Sequence, residues 1–417
     1  MRLYEKITST EVLASAWQKL NRRNRDSSGF DDPTTIHEFA LNLPSRIKNL
    51  SQQLSSGVFH FSPARGVTIP KPNGKRRPLR VFNVGDRVVQ RAILDTIELY
   101  FKDVINNKVS FAYVQNRSLK QAVNSIRDRC IKLENGKIPW VIVADINNFF
   151  EEIDRDRLKE RIFSRLPDPS LNQLITESIE VDIGNRSTLK KSEMPYFPIK
   201  RTGISQGSIL APFYSNAYLS EFDKFLERTG IFAVRWADDL CMITNTQQEA
   251  DTTLGSVIDF LKSRFELVIH PKGREKGAVI YPSANGFEFL GLKFSKRSSG
   301  YNICPSDDKI KDAKYQISYI LDPHERWPLV DRVVSLSYKM DGWVSSYKFC
   351  DVKKFTREVD ACYRENLKKL LSNLLLISND TDVRRRQLEF LSLPRTMKSR
   401  KRKIILIKSK DHSEIRV

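Results

Sequence analysis

The sequence predicts an α+β protein: helix and sheet mixed over roughly the first 300 residues, helices alone afterwards. Three observations predict it. Apolar runs of strand length alternate with stretches of helical spacing up to about residue 300. From Ser306 onward the apolar residues recur only at helical spacing. Hydrophobic residues make up 40% of the 417, enough to close a core, and that length points to two or three packed units.

The elements follow in order. Residues 10 to 20 put Leu13, Trp17 and Leu20 on one helical face. Residues 26 to 35 (DSSGFDDPTT) read as a loop. Helical spacing returns over 36 to 54 through Ile36, Phe39, Leu43, Ile47, Leu50 and Leu54. Val67-Thr68-Ile69 predicts a short strand before a basic turn, Lys71 to Arg80, whose Pro72, Asn73 and Gly74 supply turn chemistry. A basic turn between apolar strands can grip a triphosphate; the plain alternative is a solvated hairpin. Residues 86 to 105 predict a helix through Val88, Val89, Ala92, Ile93, Ile97 and Tyr100. Trp140 to Ala144 is an apolar run ended by Asp145, the mark of a buried strand. Ile231 to Val234 and Leu240 to Ile243 predict two more strands, 251 to 265 a helix, and 287 to 294 (FEFLGLKF) a strand. Ile310, Ala313, Ile317 and Ile320 open the helical region, and a long amphipathic stretch runs from Phe355 to about Leu376. The expected domain boundary is near Pro305.

Charge narrows the function classes. Lys and Arg number 70 against 50 Asp and Glu, a formal charge of +20 that points to a polyanion, most simply nucleic acid. The last 37 residues hold 12 Lys or Arg and 4 Asp or Glu, so they carry +8 of it. Arg384, Arg385 and Arg386, then Lys398, Arg400, Lys401, Arg402 and Lys403, are the dense runs, suited to a phosphate backbone or simply to solvent. No apolar run reaches the ~20 residues of a membrane helix, and no secretory signal pattern opens the chain. Five scattered cysteines form no C-x-x-C pair, which argues against a zinc module or a disulfide framework. A cytoplasmic setting without a membrane partner is expected.

Three Asp-Asp pairs occur. Asp31-Asp32 lies in a loop before Pro33, and Asp307-Asp308 suits a helix start. Asp238-Asp239 has no such account. It sits in the tight connection between two apolar strands, where adjacent carboxylates repel and a divalent cation would reconcile them. If the strands are neighbours, Asp145 and Asp238 face one point, the arrangement of a two-metal clamp for in-line phosphoryl transfer. The plain alternative is that Asp145 starts a loop.

Taken together, these residues resemble a bacterial reverse transcriptase of the group II intron type. Val143 to Phe150 with Ile153-Asp154 is similar to its first catalytic motif. Gly203 to Ser208, with Pro212 and Asn216 to Leu219, resembles its Q-G motif, and Trp236-Ala237-Asp238-Asp239 its Y-A-D-D box, with Trp for the usual Tyr or Phe. Phe289, Leu290 and Gly291 resemble the primer grip. Ile69 to Lys75, Arg77 to Leu79, Asp86 to Gln90 and Gly29 to Asp31 resemble the fingers, and Gly342-Trp343 with Tyr347 the thumb.

The resemblance implies a right-hand polymerase fold: N-terminal extension and fingers over 1–135, palm over 136–304, helical thumb over 305–380 and basic tail over 381–417. It implies an RNA-directed DNA polymerase, a nucleotidyltransferase using Mg²⁺, with Mn²⁺ as the alternative. Its partners would be an RNA template, dNTPs and the DNA product. Asp145 and Asp238 would hold the metals with the Ile146 carbonyl, and Asp239 would be a weaker or outer ligand. Lys71, Lys75 and Arg77 would grip the triphosphate, and Lys276 would protonate pyrophosphate or be a plain surface lysine. Phe150 would be a steric gate against a 2′-hydroxyl or a core aromatic. Gln206 and Gly207 would border the new base pair. Trp343 and Tyr347 fit thumb core better than a stacking platform. Ala211 stands where Ser usually precedes Pro, Gly277 where Thr is common, and no endonuclease pattern follows the thumb. These departures point to the defence-associated, antiphage type that copies a partner non-coding RNA. A maturase-like RNA-binding protein and a template-independent, protein-primed polymerase are the competing readings.

Overall fold

The computed structural model describes residues 1–20, 28–70, 76–105, 107–134, 138–270, 277–298, 300–322 and 329–373. The chain divides into two compact units, one of Met1–Ile126 with Trp140–Ile280, the other of Arg127–Pro139 with the chain from Tyr281 onward.

In the first unit, β1 (Arg65–Pro70) and β2 (Arg76–Val81) form an antiparallel hairpin that sets Arg77 opposite Ile69. A four-stranded sheet is built from β3 (Trp140–Asp145), β4 (Ala233–Trp236), β5 (Asp239–Thr244) and β6 (Val279–Pro282), whose Val279 and Ile280 end the first unit, in the order β4-β5-β3-β6. The predicted strand at 231–234 lies two residues later, and Leu240–Ile243 falls within β5. Leu240 and Met242 of β5 and Ile142 and Ala144 of β3 enter a core shared with Tyr218, Phe222, Leu261 and Phe265. That core continues through Val88 and Ile93 to Trp17, Phe39 and Leu54.

Two predicted helices are broken. The spacing over 36–54 hides an interruption at Asn42 (φ −113°, ψ 29°), which separates Ile36–Leu41 from Leu43–Ser55. Pro44, in the first turn of the second helix, has no N–H to continue a ladder from the first. The helix expected over 86–105 is Val84–Ile97, a 3₁₀ turn Glu98–Phe101 and a short helix Lys102–Ile105.

In the second unit, β7 (Phe287–Phe289), β8 (Leu292–Arg297) and β9 (Gly300–Pro305) form an antiparallel meander. The single strand expected over 287–294 is therefore a hairpin. Its turn is Leu290-Gly291, with φ of 54° and 71°, which an uninterrupted strand does not accommodate. Helix follows at once: the Ser306 side chain accepts from the Lys309 N–H, and Asp307 and Asp308 occupy the first turn of Asp307–Ile320. Helices Leu329–Tyr347 and Lys353–Asn373 complete the unit around Ile317, Leu336, Met340, Phe355 and Val359. Trp343 and Tyr347 lie edge-on to the buried Phe355 at 6.2 and 5.3 Å, so they belong to this core. No helix among the described residues is long and apolar enough to cross a membrane.

Candidate active site

The apolar sequences of β3 and β5 pair antiparallel, and the register ends with Asp145 directly across from Asp239. The β4–β5 connection is a two-residue turn, since Trp236 pairs with Asp239 and only Ala237 and Asp238 lie between. Asp238 thus projects from the turn beside the Asp145–Asp239 pair, and all three aspartates are half-buried. The Ile146 N–H donates to the Asp238 carbonyl at 3.1 Å. The next backbone bonds run from the Asn147 N–H to the Val268 carbonyl (2.8 Å) and from the His270 N–H to the Asp145 carbonyl (3.4 Å). The Ile146 carbonyl takes no part in that ladder. Among the described residues no three His, Cys, Asp or Glu side chains are set to enclose a metal ion by themselves. The donors are hard oxygens along one rim, which suits Mg²⁺ where substrate phosphates and water complete the shell.

Ala237 occupies the first central position of the turn with φ 60°, a conformation that favours glycine and costs an alanine roughly 1 kcal/mol or more. Below it lies a buried polar cluster. The Arg235 guanidinium, fully buried, donates to both Asp223 oxygens at 2.7 and 2.6 Å. It also donates to the Ala237 carbonyl at 3.0 Å and to Asn216 Oδ1 at 3.3 Å. Asn107 donates to Asp223 Oδ2 at 3.1 Å, and its own oxygen caps the N–H groups of Val109 and Ser110. Asn216 donates to the Ala112 carbonyl at 3.0 Å. Backbone bonds Arg235 N–H to Val109 and Phe111 N–H to Arg235, both 2.9 Å, lash residues 109–111 to β4.

The Q-G loop is fixed from three sides. The Arg80 N–H of β2 donates to the Gln206 carbonyl at 2.8 Å, and the Ile209 N–H donates to the buried Gln90 at 3.0 Å. The Gln206 side chain donates to Glu151 Oε1 at 2.8 Å. Gly207, at φ 113°, lies so close to β2 that a Cβ there would meet the Arg80 carbonyl at 2.2 Å. Phe150 is half-buried against the core, edge-on to Phe149 at 5.4 Å, and its carbonyl accepts from the Ile204 N–H at 2.8 Å. The carboxylate-bearing segment and the Q-G loop are therefore one bonded assembly.

Of the predicted triphosphate grip, Arg77 is exposed on β2, while Lys71 and Lys75 lie outside the described residues. So do Lys276 and the basic tail residues Arg384, Arg385, Arg386, Lys398, Arg400, Lys401, Arg402 and Lys403. Arg77 and the aspartates act on a common neighbour, Tyr113. Loss of hydration and then the Asp238 charge push its phenol above the usual range, and Arg77 opposes the shift. Phe289, Leu290 and Gly291 stand in the second unit, where the Gly291 carbonyl accepts from the Ser306 N–H at 2.9 Å.

The family defined as reverse transcriptase (RNA-dependent DNA polymerase) matches residues 69–294, more than half of the chain. The chain belongs to the reverse transcriptase family. The α+β right-hand polymerase fold expected from the sequence stands with it, as mixed helices and antiparallel sheet in one unit and a meander with helices in the other. The chain is 29% identical over 229 residues to protein YkfC of Escherichia coli K12, an alignment covering 54% of the chain and 57% of that protein. It is 28% identical over 227 residues to the group II intron-encoded protein LtrA of Lactococcus lactis subsp. cremoris, 54% of the chain and 35% of that protein. The chain thus spans little more than half the length of the first of these relatives and about a third of the second. Among solved structures, a Candida albicans telomerase bound to a fragment of telomeric RNA aligns with TM-score 0.41 at 11% identity, over 81% of this chain and 66% of that one.

Several residues around the candidate site were not legible in the sequence. Arg235, Asp223 and Asn107 are ordinary polar residues in sequence, scattered over more than a hundred positions, and Asn216 stood out only as part of the Q-G motif, not as a partner of Arg235. Tyr113 sits in a loop, at φ 60°, with no periodicity to mark it. One signal was available: an arginine inside the apolar strand Ala233 to Trp236 has to find a partner when buried.

Proposed function

We propose that the protein is an RNA-directed DNA polymerase that adds dNTPs to a primer 3′-end. The carrying observation is the rim where Asp145 faces Asp239 across a strand pair with Asp238 in the adjoining turn. Asp145 and Asp238, with the Ile146 carbonyl, would hold Mg²⁺ or Mn²⁺, and Asp239 would act as a weaker or outer ligand. When bound, such ions acidify the primer hydroxyl and neutralise the leaving pyrophosphate. The chain's own groups do the positioning. Arg77, with Lys71 and Lys75, binds the triphosphate, as a planar guanidinium suits phosphate oxygens. Phe150 walls off the space beneath the sugar. Gln206 and Gly207 bring bare backbone to the new base pair. Lys276 is assigned to the leaving pyrophosphate.

We read the template as a dedicated partner RNA in antiphage defence. Support comes from the +20 charge, the basic tail and the departures from the intron-type pattern. Sequencing the RNA and DNA that co-purify with the protein from its host tests this; one structured RNA with matching cDNA is the expected result. Similarity to an intron-encoded protein favours a second reading, RNA binding of maturase type, for which intron RNA without cDNA would speak.

The polymerase assignment is tested by replacing Asp238 and Asp239 together with Ala. Primer extension on an RNA template falls below detection, while RNA affinity by filter binding stays within about twofold. Extension by the double variant at wild-type rate would sink the assignment.

A further inference from the structure

Asp238 is pinned on both flanks. The carbonyl of the peptide before it, that of Ala237, is held by Arg235 Nη1 at 3.0 Å. Its own carbonyl is held by the Ile146 N–H at 3.1 Å. With both peptide planes fixed, the direction of the Asp238 Cα–Cβ bond is fixed too. The first anchor is a side chain, and it holds a residue whose backbone conformation is unfavourable by itself: Ala237, at φ 60°.

The geometry points to Arg235 as a positioning residue of the polymerase reaction. It clamps the Ala237 carbonyl and thereby sets Asp238 at metal-binding distance from Asp145. This inference rests on the assignment of Asp145 and Asp238 as metal ligands.

Its guanidinium suits this task because each nitrogen has a fixed direction. Nε and Nη2 are taken by the two Asp223 oxygens at 2.7 and 2.6 Å, which lock the plane and aim Nη1 at Ala237. Asp223 is oriented in turn by Asn107 at 3.1 Å, and Asn216 meets Nη1 at 3.3 Å. Arg235, Asp223, Asn216 and Asn107 are 0%, 1%, 4% and 6% exposed, so little water competes for these bonds. A purely structural ion pair would need only Asp223. Three donor directions reaching two side chains and the carbonyl next to the ligand make a lever on the turn. Lysine cannot replace it, because an ammonium has no rigid fork.

The test is Mg²⁺ dependence of primer extension by the full chain carrying Arg235→Lys, with melting temperature and primer–template affinity measured alongside. Lysine keeps a charge toward Asp223 and loses the clamp. The expected result is a rise of about fivefold or more in the Mg²⁺ concentration for half-maximal rate, partial recovery at high Mg²⁺, and primer–template affinity within about twofold of wild type. A folded Arg235→Lys protein with wild-type Mg²⁺ dependence overturns the inference, whatever its maximal rate. Should Arg235→Lys not fold, Asn107→Ser decides, because it removes an Asp223 partner and leaves the ion pair in place. A rise of about twofold or more in the same concentration supports the lever, and a wild-type value overturns it. Asp238→Ala in the same assay separates the two levels. If that variant still extends primers, the metal-ligand assignment fails. If it does not, and the Arg235 and Asn107 variants keep wild-type Mg²⁺ dependence, only the positioning role fails.

Discussion

Phe150 has its ring half-buried edge-on to Phe149, and its carbonyl, tied to the Ile204 N–H, fixes the backbone from which the ring projects. A side chain held like that can act as a wall. Phe150→Val removes the wall, and the expected outcome is at least a tenfold rise in the ratio of rNTP to dNTP incorporation, about 1.4 kcal/mol of lost discrimination. Competition primer extension measures it; an unchanged ratio leaves Phe150 a core aromatic. At this scale the sequence is most informative where a residue is chemically out of place. Adjacent aspartates between apolar strands stood out because repulsion needs a counter-ion. Arg235 was just as anomalous, but its meaning depends on partners that only the fold supplies. Asp223 and Asn107 are 116 residues apart in sequence and 3.1 Å apart in space.

Among the elements, β2 and the Q-G loop meet with no room to spare. Gly207→Ala would drive a Cβ to 2.2 Å from the Arg80 carbonyl, and φ 113° is hard for any other residue to adopt. The loop or the strand has to shift by about an ångström. The expected outcome is a fall of about 10²-fold in kcat/KM for dNTP, near 3 kcal/mol, as misplacement of this size produces. Gly230→Ala is the matched control: φ is 70°, and nothing lies within 4 Å of the added carbon. Equal losses in both variants would mean that close approach is not the reason for Gly207. Many of the elements were legible, because unbroken apolar runs mark β3 and β5 and the 3.6-residue period carries through the helix Gln247–Phe265, whereas Leu119–Leu133 and the helices between Arg155 and Arg228 went unread. Periodicity failed at punctuation. Asn42 with Pro44 splits a helix whose apolar spacing never falters, and Leu290-Gly291 folds an apparent strand back on itself.

For the whole molecule, charge is the property that acts at a distance. A net +20 on 417 residues gives a field that attracts polyanions whatever their sequence, and +8 of that charge is in residues 381–417. Removing those residues is expected to flatten the dependence of log Kd for single-stranded RNA on log salt, by about 4 to 6 in slope if each net charge meets a phosphate. Filter binding across a salt series measures it, and an unchanged slope would mean that the tail does not touch RNA. Acidic residues are the minority here, yet they define the site, and the way one of them is held has a consequence for biosynthesis. A ribosome delivers Asn107, Asn216, Asp223 and Arg235 before Ala237 and Asp238, so every part of the clamp is present when the turn emerges, and the turn is locked only once those parts pack together. On the proposed role of Arg235, a partly folded chain has its aspartates but not their alignment. The ability to polymerise then arrives with the finished fold, as a built-in check on completeness.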